Sequence, residues 1–356
     1  MVPGFMKLLP RIGYVPLSPA LTQPGDRRRF VHYARARGLS FELATPGREY
    51  DLVVVSSGAD VTQWARAPRG KIVFDLVDSY FAIPKTDPRG LLRGTAKFLT
   101  RQHRHFVPSH WDALAAMCRR SDAVVCSTEE QARDISRYCA NVHCILDVHS
   151  AATTLVKSDY AAHRPFRFVW EGLPFTLGLL YGLAPALRRL SQPWELHVVT
   201  NPDSPKWLGR FGRRDTRAEL AKVYPGAVFH EWKDATFAQY VTACDLAIIP
   251  LDLDDPFARG KPENKLLLFW RVGLPVVASA SPAYVRAMGA AGLSLTCRTI
   301  DEWVPVLESL MADEARRTRA AEAGHSFVLR DHSEQRLLEK WDRVMTSVAL
   351  TPTKDA

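Results

Sequence analysis

The chain lacks the features that mark several large classes of protein. No run among its 356 residues approaches the ~18–20 apolar residues needed to cross a bilayer. The opening MVPGFMKLLPRIGYVPL has neither a long apolar core nor a small-residue cleavage site, so no secretory leader is expected. Cysteine is scarce and unpaired. Cys118, Cys126, Cys139, Cys144, Cys244 and Cys297 form no CxxC and fall in apolar or helical contexts, which reads as buried free thiols in a reducing compartment. GxSxG, Walker A and GxGxxG sequences are absent, which weighs against hydrolase, kinase and simple dehydrogenase chemistry. There is no short-period repeat, and no low-complexity tract beyond the terminal TPTKDA. Acid is in deficit: 38 Asp+Glu face 47 Lys+Arg, a net charge of +9. With 47% hydrophobic and 24% charged residues, a mainly disordered or fibrous chain is excluded. The length favours two domains.

What is present is a steady alternation of short apolar, β-branched runs with helical stretches. RIGYVPL, SFELA, YDLVVVSS, KIVFDLVDSY, DAVVCST and VHCILD punctuate the first part, giving about five strands before Ser150. Helical patterns fall at Arg27–Arg37, in ADVTQWARA, along a long basic segment and at Glu129–Tyr138. Apolar runs bounded by turn residues suit strands buried on both faces of a parallel sheet. Ser150–Pro165 has no such run and reads as a linker. The pattern then restarts with FRFVWEG, a helix over Leu177–Leu190, WELHVVT, AVFHEW, a helix over Phe237–Cys244, DLAIIPL, a helix opening near Asn264, and LPVVAS. The expected class is therefore α/β, with two Rossmann-like doubly wound domains split near residue 155. Ligands of such sheets bind beyond the carboxyl ends of the strands. Two units facing one another would hold a ligand in the cleft between them.

The stretch DLAIIPLDLDDPFARGKPENKLLLFWRVGLPVVAS is the most informative. A strand ends at Pro250, a charged loop follows, and a helix starts at Glu263–Asn264 and ends at Gly273, a left-handed cap position. The amino end of that helix offers unpaired N–H groups and positive potential, suited to a diphosphate. Arg259, Lys261 and Lys265 add cations. Read locally, the same cations also fit solvated loop charges that pair with Asp252, Asp254 and Asp255.

GKPENKLLLFWRVGLPVVAS resembles the nucleotide-sugar signature of GT-B glycosyltransferases, in particular retaining glycosyltransferase family 4 (the group 1 glycosyltransferases). CDLAIIPL is similar to the strand before that signature, and FRFVWEGLP to the first strand and sugar-facing turn of the same domain. RIGYVPLSP with PGDRRRF, YDLVVVSSGAD, IVFDLVDSY and DAVVCSTEEQARDI occupy the acceptor-domain places more loosely. The resemblance implies an acceptor domain over 1–155 and a nucleotide-sugar domain over 156–334. A helix in 335–356 would pack back on the first domain. It further implies metal-independent transfer from a nucleotide-diphosphate sugar, UDP- or GDP-linked, to a hydroxyl acceptor with retention, in bacterial envelope or capsule synthesis. No cofactor and no metal are expected. The pattern departs from the family where it carries a glutamate five residues before the glycine, since that place here is Leu268, and the earlier one falls near Gly260. Glu263 could reach the ribose instead. The departure keeps open a non-catalytic nucleotide-sugar-binding or scaffold relative, and the fold a sugar-nucleotide 2-epimerase.

On this reading Lys265, Arg259 and Lys261 face the diphosphate, while Glu171 and Gly172 approach sugar or diphosphate, glycine permitting a close backbone approach. A plain strand-to-helix turn explains Glu171 and Gly172 as well. The aspartates at 252–255 read as solvated or salt-bridged rather than as Mg²⁺ ligands. In the acceptor domain Gly25, Asp26 and Arg27 begin a helix, with Asp26 a natural N-cap. Arg27–Arg29 either grip an anion or lie on a solvated face. Asp78, at the end of a strand, would take the acceptor hydroxyl's proton or cap a helix. Histidines such as His103, His105, His110, His143, His149 and His197 lack metal-pair spacing.

Most of the excess charge is local. Between Lys85 and Arg120 stand eight Lys and Arg but only Asp87 and Asp112, a net of +6. Lys97, Arg101 and Arg104 recur at helical spacing among Phe98, Phe106 and Trp111. That suits an anionic membrane surface next to a lipid-linked or polysaccharide acceptor, or else core aromatics beneath solvated cations. No nucleic-acid-binding module is present, and none is expected to bind. The expected location is the cytoplasm, peripherally on the cytoplasmic face of the inner membrane.

Overall fold

The computed structural model describes residues 10–68, 70–205 and 212–350. The leader reading over the first nine residues and the TPTKDA tail lie outside the described residues. Two compact units form. One takes the chain up to Val148 together with residues from Gln335 onward, and the other runs from His149 to Glu334.

In the first unit, β1 (Ile12–Val15), β2 (Phe41–Leu43), β3 (Leu52–Ser56), β4 (Lys71–Asp75), β5 (Ala123–Cys126) and β6 (Val142–Cys144) form one six-stranded sheet. Its order is β2-β1-β3-β4-β5-β6, and every neighbouring pair is parallel. The valines of β3 and all of β5 are buried, as strands covered on both faces require. Helices α1 (Pro24–Arg27), α2 (Phe30–Ala36), α3 (Val61–Trp64), α4 (Pro88–Leu99), α5 (His110–Arg120) and α6 (Glu129–Ile135) connect them. The helix expected over Arg27–Arg37 is therefore broken. Arg29 leaves helical geometry at φ −124°, and its side chain is buried. The carboxyl-terminal helix Glu334–Leu350 contributes Leu338, Trp341, Val344 and Val348 to the core built on Phe30, Tyr33 and Val54. Arg37 and Asp342 pair at 2.7 Å along its edge.

Helix α4 stops earlier than the charge spacing suggests. Gln102 and His103 both donate N–H to Lys97 O, and Arg101 takes φ +60°. This left-handed cap ends the helix at Leu99. Lys97, Arg101 and Arg104 consequently do not share one helical face. Lys97 is half-buried, and its positive field acts on buried His103 and His110.

The second unit has β7 (Phe166–Glu171), β8 (Trp194–Thr200), the short antiparallel ribbon β9 (Asp203–Pro205) and β10 (Arg213–Asp215), then β11 (Val228–Glu231), β12 (Leu246–Ile249), β13 (Val276–Ser279) and β14 (Thr296–Cys297). Its parallel sheet runs β11-β8-β7-β12-β13-β14. Counted from the first strand, that is the Rossmann order 3-2-1-4-5-6. The helices are α7 (Leu177–Leu187), α8 (Thr216–Ala221), α9 (Asp234–Thr242), α10 (Pro256–Arg259), α11 (Asn264–Arg271), α12 (Pro282–Ala290), α13 (Ile300–Ala312) and α14 (Glu314–Asp331).

Gly273 has φ +68°, and Leu274 N–H returns to Phe269 O, so glycine caps α11 as its sequence position predicts. The stretch read as a linker is pinned to this unit. Lys157 N–H bonds Val272 O, Lys157 Nζ bonds Thr242 O, and Tyr160 Oη bonds Gly273 O. With those bonds made, the boundary falls after Val148 rather than near 155.

Candidate functional site

Each sheet reverses its winding at one place. In the second unit this is between β7 and β12, where the crossovers leave in opposite directions and expose the strands' carboxyl ends. Three segments converge there: the end of β7, the loop from Pro250 into α11, and the start of α12.

Trp170, Glu171 and Gly172 close β7. Lys265, in the first turn of α11, donates to Glu171 O at 2.7 Å, and its Nζ lies 3.6 Å from Glu171 Oε2. Trp232 Nε1 donates to the other carboxylate oxygen at 2.8 Å. The Lys265 ammonium also stands 5.3 Å from the Trp170 ring centroid, close enough for a cation–π attraction. Lys265 keeps 34% of its side chain exposed, so the ammonium is held in place without being sealed off. An incoming phosphate would meet a positioned cation beside the amino end of an eight-residue helix.

Glu263 is the N-cap of that helix and is buried, and Asn264 is its first residue. Tyr284, at the start of α12, is buried close enough to both acids for them to act on it. Its hydroxyl pKa is driven far up, first by burial and then by the charges of Glu263 and Glu171. Ser279 Oγ, at the end of β13, accepts from Leu251 N–H at 2.8 Å and so fixes where the loop leaves β12. Arg259 closes α10 and is exposed, and Lys261 follows in the turn before α11.

The loop aspartates serve the backbone. Asp252 Oδ1 accepts the N–H groups of Asp254 and Asp255, and Asp255 caps α10 through Phe257 N–H. Among the described residues no group of three or more His, Cys, Asp or Glu is arranged to hold a metal ion. Gly172 has a local reason to be glycine. A Cβ there would stand 2.4 Å from the Trp170 ring and 2.8 Å from Thr176 Oγ1. Leu268 is buried in the core.

The corresponding place in the first unit lies between β1 and β3. Here Gly25, Asp26 and Arg27 do lie together, but Asp26 is fully buried. It accepts from Tyr14 Oη, Leu17 N–H and Ser18 N–H at 2.7, 2.7 and 3.1 Å. Its work is to hold the loop after β1 rather than to cap α1, whose N-cap is Gln23. Arg29 is likewise engaged, bonding Asp75 through Nε and Nη2, and Ile145 O and Asp147 through Nη1. That removes it from any anion-gripping trio with Arg27. β4 ends at Asp75, three residues before Asp78. Asp78 is exposed, and Tyr80 Oη donates to it at 3.4 Å. Burial and then the Asp78 charge push the Tyr80 hydroxyl up to about 12.

A cavity of about 1140 Å³ opens elsewhere in this unit, lined by Arg11, Asp51, Val53 and Ile72 among others. Those residues stand at the amino ends of β1, β3 and β4. That is the edge opposite the one at which doubly wound sheets bind ligands, so size alone does not place the reaction there.

Trp232, Tyr284 and Trp170 were not singled out in the sequence. Trp232 follows the strand-like AVFHE, a position from which the carboxyl-edge rule points at the site.

No protein-family model matches the chain, and no curated protein matches it. Solved structures do. HepE of Anabaena in complex with UDP superposes with a TM-score of 0.64 at 13% identity, over 95% of this chain and 100% of HepE. WaaG, a glycosyltransferase involved in lipopolysaccharide biosynthesis, gives 0.54 at 13% identity over 94% and 99%. TarM gives 0.55 at 10% identity over 82% of this chain, which spans about half of TarM's length. The fold class is GT-B. At these identities the likeness extends to the fold.

Proposed function

We propose that the chain is a glycosyltransferase that moves a sugar from a UDP- or GDP-linked donor to a hydroxyl acceptor, with retention and without a metal. The observation that carries this reading is Lys265, fixed by Glu171 at the switch point of a Rossmann-ordered sheet and beside the amino end of α11. Lys265, Arg259 and Lys261 meet the diphosphate charge as it develops on the leaving group. Such stabilisation by fixed charges is the largest part of catalysis in many transfers. Glu263 and Asn264 bind the ribose side, Glu263 standing in for the acid missing at Leu268. Glu171 and Gly172 line the sugar. On the acceptor side Asp78 takes the hydroxyl proton, and Arg27 contacts an anionic acceptor from the frame that Gly25 and Asp26 build. The acceptor is lipid-linked or a growing envelope or capsule polysaccharide, met at the cytoplasmic face of a membrane.

A second reading, a nucleotide-sugar-binding relative without transfer, is favoured by Leu268, because a buried leucine cannot bind ribose. Melting temperatures measured with UDP, GDP and other nucleoside diphosphates and their sugars test the donor site, and no stabilisation by any of them sinks it. Donor turnover followed by mass spectrometry separates the rest. Transfer to an added acceptor supports the enzyme, binding without turnover supports the second reading, and interconversion of donor sugars without acceptor indicates a 2-epimerase.

A further inference from the structure

Helix α4 turns its apolar face outward. Its inner side is made of Gly90 and Gly94, which sit so close to α5 that no side chain fits between. A Cβ on Gly90 would stand 2.6 Å from Trp111 Nε1, and one on Gly94 would stand 2.3 Å from Pro108 O. Lys97, half-buried, lies on the same side. At 100° per residue the opposite side presents Leu91, Leu92, Thr95, Phe98 and Leu99. All five are exposed, Leu92 at 69% and Leu99 at 74%. Exposed Phe106 meets Phe98 edge-on at 5.2 Å and extends the patch beyond the helix. Beside it stand exposed Arg101 and Arg104, while Arg89 pairs with Asp87 and Arg93 is held over the Tyr80 ring and hydroxyl.

Scattered surface leucines need no explanation, but a contiguous apolar helix face flanked by cations does. The core does not ask for these leucines, since glycines and Trp111 make its contact. A second copy of the chain would bring the same +6 segment against itself, which charge repulsion opposes. A bilayer with anionic headgroups complements both parts of the surface. Twelve residues of helix, about 18 Å long, are too short to cross it and suited to lie along it.

We propose that α4 and the turn after it form an interfacial wedge. Leu91, Leu92, Phe98 and Leu99 enter the boundary between headgroups and acyl chains of an anionic bilayer, while Arg101 and Arg104 meet the headgroup charge. This gives the membrane side of the glycosyltransferase reading a specific contact, yet it stands on the exposed face alone. It also differs from a purely electrostatic patch, because the leucines supply the anchoring and the arginines the preference for negative lipid.

The test is flotation of the full chain with phosphatidylcholine vesicles, with and without phosphatidylglycerol. Binding to the anionic vesicles is expected, weakening with salt. Leu92→Glu with Leu99→Glu should lower it by about tenfold or more, since each buried leucine is worth more than ~1.4 kcal/mol. Both residues are exposed, so the melting temperature should be unchanged. Arg101→Gln with Arg104→Gln should lower binding less and flatten its salt dependence. No flotation, equal flotation with neutral vesicles, or undiminished flotation of the leucine variant overturns the wedge. So does a dimer in sedimentation velocity that the leucine variant splits, with no vesicle binding, which would hand the face to a second copy. Stabilisation by nucleotides is read on the same samples. Its failure with flotation intact removes the donor site and leaves the wedge, and the reverse result removes the wedge alone.

Discussion

The two switch points of this molecule sit on sheets of the same kind, yet they use charge in opposite ways. Between β1 and β3, Asp26 and Arg29 are wholly buried, each saturated by partners within its own unit. Between β7 and β12, Lys265 and Glu171 hold one another at part-exposed positions. Buried ions with full hydrogen bonding fix loops, and removing one member strands the other at large cost. Part-exposed ions can exchange a partner for a ligand at small cost to the fold. Location at a carboxyl edge therefore does not by itself make a charged residue a binding residue, and the degree to which its bonds are already filled decides between the two roles.

Substitutions on the two sides should separate accordingly. Arg29→Ala should have the largest effect, destabilising the first unit by about 3–5 kcal/mol because Asp75 and Asp147 lose their shared cation. Urea unfolding would show it, and a loss below ~1 kcal/mol would break the contrast. Lys265→Ala should instead leave the unfolding midpoint nearly unchanged and weaken nucleoside diphosphate binding by about 1.5–3 kcal/mol, measured by titration calorimetry. Unchanged affinity would remove Lys265 from the site. Glu263→Gln keeps the shape of the N-cap but removes its charge. If Glu263 holds a ribose hydroxyl, affinity for nucleotides should fall by about 0.5–1.5 kcal/mol, with less effect on inorganic diphosphate. Equal losses for both ligands would argue that Glu263 acts through the helix start rather than the ribose.

Much of this was legible from the residues, for reasons that differ by region. VVVSS, IVFDLV and AVVC read as buried parallel strands because both faces are covered and no period-2 alternation intervenes. Gly273 read as a cap because few other residues take φ +68° without strain. The loop-helix-strand order around Lys265 placed that segment at the carboxyl edge of its sheet, since that order follows from chain direction. Long-range partners were not legible. Nothing near Arg29 announces Asp75, 46 residues away, so three consecutive arginines looked equivalent although one is buried. Trp232 reaches Glu171 from 61 residues away. The cap that stops α4 at Leu99 depends on one left-handed arginine, a choice the helical spacing of Lys97, Arg101 and Arg104 concealed. The same early stop and the two inward glycines turned an expected basic face into an apolar one.

The packing that exposes those leucines carries a final, smaller test on the first unit. Beneath α4, His103 and His110 lie side by side with ring centroids 5.4 Å apart, against Tyr80 and Trp111. Burial lowers both pKa values, and burial followed by the charges of Lys97 and Arg93 brings that of His110 down to about 2. Lys97 also lowers His103, while Asp60 opposes that shift. In the unfolded chain both rings take a proton near pH 6.5. The stabilisation from burying them neutral is therefore complete above about pH 6.5 and is lost progressively as pH falls toward the folded values. For one histidine the loss is roughly 1 kcal/mol between pH 6.5 and 5.5. Hydrogen exchange over α4 and α5 should accordingly show less protection at pH 5.5 than at 6.5, after correction for the intrinsic rate. His110→Phe, which keeps a ring beside Tyr80 and Trp111, should shrink that difference, whereas a difference as large as in the parent chain would place the pH sensitivity elsewhere.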